Sequence, residues 1–120
     1  MNKQTLTVYE SAARTATPAA VVLNTGNAPA IYIVVEVTAD PAAASVVFTF
    51  DLWDPASGTA VNLLTSAAVT AVSSNIYKIS PALTAAGNLI AAEHVPQNLK
   101  ITATHGDADS ITYSVGVHLI

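Results

Sequence analysis

The sequence predicts an all-β fold: a single domain over residues 1–120, built as an antiparallel β-sandwich (or small barrel) of about eight short strands. Three observations predict it. Apolar and polar residues alternate with period two in several segments, the signature of strands with one buried face. Turn clusters containing Gly, Pro, Asn and Asp separate those segments roughly every 10–15 residues. A chain of 120 residues can bury about two-thirds of the surface its unfolded form exposes, enough for one core.

Thr5 to Tyr9 alternates and reads as a short edge strand, followed by a weaker Thr/Ala stretch from Ala12 to Thr17. Ala19 to Leu23 is apolar after Pro18. Asn24-Thr25-Gly26-Asn27 is a turn in which Gly26 is free to take positive φ. Ala30 to Thr38 is the clearest strand. Ile31, Ile33, Val35 and Val37 share one face, and Tyr32, Glu36 and Thr38 lie on the other. Ala39-Asp40-Pro41 ends it.

Ser45 to Trp53 repeats the pattern, with Val46, Phe48, Phe50 and Leu52 inward and Val47, Thr49, Asp51 and Trp53 outward. Asp54-Pro55-Ala56-Ser57-Gly58 is a turn, and Val61 to Leu64 is the return strand. Ala67 to Val72 and Asn75 to Ser80 are expected to form a second hairpin around Ser73-Ser74. Pro81 to Pro96 reads as a long connection with one helical turn. Asn98 to Thr104 points Leu99, Ile101 and Ala103 inward. His105-Gly106-Asp107-Ala108-Asp109 is a tight turn, with Gly106 expected at positive φ. Ser110 to His118 pairs back through Ile111, Tyr113, Val115 and Val117.

Charge bounds the function. Only 10% of residues are charged, against roughly 25% in an ordinary soluble domain, while 52% are hydrophobic and mean hydropathy is +0.48. The longest apolar run, Ala28 to Val35, holds Pro29 and stops at Glu36, short of the roughly 18 residues of a membrane span. Met1 to Glu10 lacks the apolar core of a signal peptide, so no secretory leader is expected. The basic residues Lys3, Arg14, Lys78 and Lys100 are scattered in a chain of net charge −4, which argues against binding nucleic acid or an anionic membrane. There is no cysteine, hence no disulfide and no thiolate chemistry.

Candidate chemistry is sparse. His105 with Asp107 and Asp109 is the one polar cluster, but a Ca²⁺ site takes about 6–8 oxygen ligands and no such spacing follows. His94 beside Glu93 lacks a nucleophile in a suitable context, and His118 stands on another element. Neither a GxGxxG nor a GxxxxGK[ST] run is present. No catalytic residue, cofactor or metal site is expected, and the chain is not expected to be an enzyme.

Four segments carry a resemblance: Glu10 to Thr17; Asp54 to Thr59 with Leu63 to Ala68; Pro81 to Ala86; and Thr104 to Gly116. Together they resemble small β-rich virion structural proteins of tailed bacteriophages, the last segment most specifically. Near the centre, where members often carry Arg-Gly or Lys, this chain has Pro29-Ala30. The resemblance implies a particle component made in the bacterial host cytoplasm and placed in the virion, on the capsid surface. It implies a decoration (cement) protein that contacts the major capsid protein or other virion proteins, and by analogy a homo-oligomer, a trimer. The alternatives are a tail-tube, tail-terminator or head–tail connector subunit, with Pro81 to Pro96 as its inserting arm, and a carbohydrate- or host-surface-binding module using Trp53 with Tyr32.

A surface short of charge favours assembly, because large exposed apolar areas mark interaction sites. Outward or loop positions are the expected contacts: Tyr9, Arg14, Tyr32, Trp53, Leu89 and Ile90. A lone guanidinium such as Arg14 suits a carboxylate or a row of carbonyls on a partner.

Overall fold

A computed structural model describes residues 3–120. Nine strands form two sheets: β1 (Gln4–Arg14), β2 (Val21–Asn24), β3 (Ile31–Ala39), β4 (Val46–Asp54), β5 (Thr59–Thr65), β6 (Ser73–Ile79), β7 (Ile90–Ala91), β8 (Asn98–His105) and β9 (Ile111–Leu119). The five-stranded sheet has the order β1-β9-β3-β6-β7, and the four-stranded sheet the order β2-β8-β4-β5. All pairings are antiparallel except β6 with β7. The fold is a β-sandwich.

Period-two alternation places the core. Ile31, Ile33, Val35 and Val37 of β3 and Ile111, Tyr113, Val115, Val117 and Leu119 of β9 turn inward from the first sheet. Val46, Phe48 and Phe50 of β4 and Leu99, Ile101 and Ala103 of β8 meet them from the second. Aromatic rings join the layers: Phe48 stands edge-on to Tyr113 with centroids 5.5 Å apart, and Phe50 tilts against Tyr77 at 5.4 Å. Two buried hydroxyls hold the chain where it leaves the four-stranded sheet, after β5 and after β2. Ser66 Oγ accepts the Phe48 N–H at 2.9 Å, and Thr25 Oγ1 donates to the Pro96 carbonyl at 2.5 Å.

The structure corrects several local expectations. β1 runs eleven residues, not five, and absorbs the start of the Ala12 to Thr17 stretch. It stays paired with β9 only by way of two bulges, between Thr7 and Tyr9 and between Tyr9 and Ala12. The hairpin around Ser73-Ser74 does not form. Ala67 to Val72 instead runs on beside β4, where Val69 exchanges both backbone hydrogen bonds with Val46, and β6 pairs with β3 in the other sheet. Ser-Ser offers no residue suited to the positive φ of a two-residue hairpin loop. The connection from Pro81 to Pro96 has no helical turn. Asn88 takes φ 64° and closes a tight loop in which Ala86 and Ile90 exchange hydrogen bonds, and Ile90–Ala91 then joins β6.

Leu52, expected inside, is 38% exposed. It follows the irregularity between Phe50 and Asp51 in the β4–β5 ladder, beyond the last buried residue of β4. Gly26 and Gly58 do take positive φ, at 62° and 68°. Gly106 does not; its N–H donates to the Ser45 carbonyl at 2.8 Å, tying the β8–β9 corner to the β3–β4 loop.

Phe48 and Phe50 are fully buried. Replacing either by Ala should destabilise the fold by about 3–5 kcal/mol, through lost burial and a residual cavity, out of a typical margin of about 5–15 kcal/mol. Denaturant titration of each variant checks this; an unchanged midpoint would contradict the packing.

Candidate functional site

Polar side chains converge most closely at the sandwich end where β1, β8 and β9 meet. The second bulge in β1 breaks the ladder with β9, and Arg14 fills the break. Its Nη1 donates to the carbonyls of Tyr113 (2.7 Å) and Ala12 (3.1 Å), and its Nη2 donates to that of Glu10 (2.6 Å). The guanidinium carbon lies 4.6 Å from the centroid of the Tyr113 ring and 5.4 Å from that of Tyr9. Arg14 therefore does bind a row of carbonyls, but they belong to its own chain. Tyr9, expected on the surface, is only 8% exposed; its ring meets Tyr113 edge-on and its hydroxyl donates to the Ala19 carbonyl at 2.7 Å.

Tyr113 Oη and His105 Nε2 are 2.9 Å apart. Burial pushes the Tyr113 phenol up to about 12, with Arg14 pulling the other way, so the phenol keeps its proton at neutral pH. His105 Nδ1 is buried without a hydrogen-bond partner in the protein. Burial, reinforced by the Arg14 charge and partly opposed by Asp107, holds the imidazole below its usual pKa. The group is a rigid clasp: it fixes the start of β9 against β1 and the end of β8. The cluster of His105, Asp107 and Asp109 does not converge. The imidazole turns to Tyr113, while Asp107 Oδ1 accepts the Asp109 N–H at 3.1 Å in a local turn. Among the described residues no group of three or more His, Asp and Glu side chains is placed to hold a metal ion.

The other expected contact residues are spread over the surface. Tyr32 stands on the outer face of the five-stranded sheet under Lys78, whose Nζ is 5.0 Å from the ring centroid. Trp53 has the phase of Asp51 on β4, the outer face of the four-stranded sheet, under Lys100 at 5.0 Å. The two rings thus face opposite sides of the sandwich and cannot form one sugar-stacking platform.

Leu89 is half exposed and Ile90 partly buried, beside the loop that closes the β5–β7 edge. Two open grooves flank Gly87-Asn88, of about 430 and 560 Å³. Small side chains line them together with Tyr77, Leu63, Leu64, Leu89 and Ile90, and Glu93 is their one charged residue. Asn88 Nδ2 donates to the Thr65 carbonyl at 2.9 Å, and Ser80 N–H to the Ala91 carbonyl at 3.1 Å. The Pro81–Pro96 segment is therefore strapped along the sandwich edge rather than projecting as an arm.

Sequence reasoning missed the outer row Thr7–Gly116–Val34–Ile76, which is assembled from four strands by pairing across three ladders. Its sequence signal is Val34 and Ile76, aliphatic residues in the outward phases of their strands, of which Ile76 is 50% exposed. No protein-family model matches the chain, and no curated protein matches its sequence.

Two outcomes follow from the clasp. The folded state holds His105 neutral, so stability should be level above about pH 6.5, the ordinary imidazole value. It should fall below that pH, as the unfolded chain takes up the proton first. Thermal melts between pH 8 and 5 check this, and His105→Gln should flatten the acid limb. Melting of the native protein should also be indifferent to a chelator or added Ca²⁺; a shift of several degrees would reveal a bound cation.

Proposed function

We propose that this chain is a structural, non-catalytic protein of a tailed-phage virion, a decoration protein that self-associates and cements neighbouring capsid subunits. The observation that carries the reading is the surface: on a chain with 10% charged residues, Val22, Leu52, Val61, Val72, Ile76 and Leu89 stand exposed at the strands and their margins. Methyl and aliphatic groups are stabilised when covered, and a surface short of charge carries few ions whose desolvation would oppose docking, so it suits repeated docking to a shell. Repetition in a symmetric lattice multiplies weak individual contacts. The resemblance to virion proteins supports the same reading.

The polar cluster where β1, β8 and β9 meet serves the molecule's own packing. Arg14 binds the chain's own carbonyls and His105 the Tyr113 hydroxyl. Ring-forming tail and connector subunits usually have a projecting arm, and the candidate here is strapped down along β6 and β5. A sugar-binding module would rest on Trp53 alone, beneath Lys100.

Quantitative composition of purified particles tests the proposal. Decoration of the whole shell requires many copies per virion; fewer than about a dozen would rule it out, since each symmetric position must be filled.

A further inference from the structure

The outer face of the five-stranded sheet carries a pattern that the chain itself does not use. Cross-strand pairing sorts it into three rows: Thr5–His118–Tyr32–Lys78, then Thr7–Gly116–Val34–Ile76, then Ser114–Glu36–Ser74. The middle row is uncharged. Lys78 lies on one side of it and Glu36 on the other, four residues apart along the ladder. That is about 13 Å at the rise of a strand, too far for the two to pair with each other. Glu36 accepts only a neighbouring hydroxyl, Ser74 Oγ at 2.7 Å, and Lys78 lies over Tyr32. On the opposite sheet, by contrast, Lys100 and Asp51 sit directly across from one another in the ladder, so that face offers no separated pair of opposite charges.

Gly116 is the second observation. A glycine in mid-strand weakens a sheet and marks close approach by another backbone. Here its φ is not positive, and a Cβ placed on it would meet nothing of this chain nearer than the Leu6 carbonyl at 3.8 Å, an ordinary contact. The protein's own packing does not require this glycine. It leaves the centre of the outer face flat beside Val34 and the half-exposed Ile76.

We propose that a second copy of this chain packs face to face on this surface, about a two-fold axis running across the strands along the Thr7–Gly116–Val34–Ile76 row. Rotation about that axis lays each outer row on the opposite outer row of the partner. Lys78 then lies over Ser74 and Glu36 of the other copy, and Glu36 under its Lys78, giving two equivalent ion pairs around an apolar centre where glycine meets glycine. Charge selects this axis. A two-fold along the strands would set Glu36 against Glu36 and Lys78 near His118. Sheets packed face to face are about 10 Å apart, a spacing that Gly116 favours at the centre.

The long edge of β1 is a poorer site, because its two bulges twist the free edge out of register for a further strand. Four strands by nine residues give a footprint of about 19 by 30 Å, at the lower end of specific interfaces, so the pair is reversible. A two-fold pair, rather than the three-fold cluster suggested by analogy, is the first step of self-association, whatever particle the protein serves.

Sedimentation of the full chain across concentration, with charge reversals, tests the pairing. The native protein should show a monomer–dimer equilibrium. Glu36→Lys gives a face with two cations and Lys78→Glu a face with two anions. Each alone should weaken dimerisation about tenfold or more, since like charges then oppose. Mixing the two variants should give a heterodimer, and combining both changes in one chain should restore the homodimer. Gly116→Val should leave the melting temperature of the monomer intact and abolish the dimer. A native protein that stays monomeric at millimolar concentration, a dimer indifferent to the single reversals, or single variants that do not rescue each other would each overturn the proposal. None of these results bears on copy number in virions, so the two readings fail separately.

Discussion

The Tyr113 ring is the point on which both sheets register. It projects from β9, second in the five-stranded sheet, and is fully buried. Phe48 meets it from the opposite sheet, Tyr9 from the edge strand and His105 from the corner before β9. Arg14 covers it and bonds its carbonyl. A charge placed against aromatic faces and three carbonyls is stabilised without a carboxylate, because ring quadrupoles and carbonyl dipoles both present negative potential. The arrangement lets β1 bulge twice and still close over the core. Without Arg14 the part-buried carbonyl of Tyr113 would lose this partner at the second bulge.

Chain connectivity makes this dependence stronger. Among the described residues β4–β5 is the one antiparallel hairpin between consecutive strands, closed at Gly58. Nearly every other pairing joins segments distant in sequence, such as β1 with β9 and β2 with β8. Non-local pairing meets its loop-closure entropy before its contacts form. The inter-sheet aromatic contacts therefore stabilise a topology that local turns alone do not specify. The outer faces are left free to be flat, weakly charged and available to other surfaces.

Alternation in β3, β4, β8 and β9 was legible in the sequence because strands half-buried in a sandwich must show it, and each of those strands turns the expected face inward, Leu52 at the end of β4 excepted. β1 was read short because its bulges shift the phase of the pattern, so that Leu6 and Tyr9, three apart, share the inner side. Among the candidate contacts, Tyr9 was misplaced for the same reason, and Arg14 because nothing local shows that a distant strand lays its tyrosine beneath it. Tyr32 and Trp53 were correctly placed on outward phases, but which sheet each belonged to depends on strand order.

By itself the sequence determined the fold class, the inward face of the central strands, the turns at Gly26 and Gly58, and a surface short of charge. Those are consequences of local φ preferences, side-chain period and composition, which act within a few residues. Strand order, the failure of the Ser73-Ser74 hairpin, the parallel docking of β7, the Arg14–Tyr113–His105 clasp and the outer row through Gly116 were decided only by the tertiary structure. Each of these joins residues far apart in the chain. Their free energies come from burial and hydrogen-bond satisfaction across strands, which exist only once the two sheets have closed on each other.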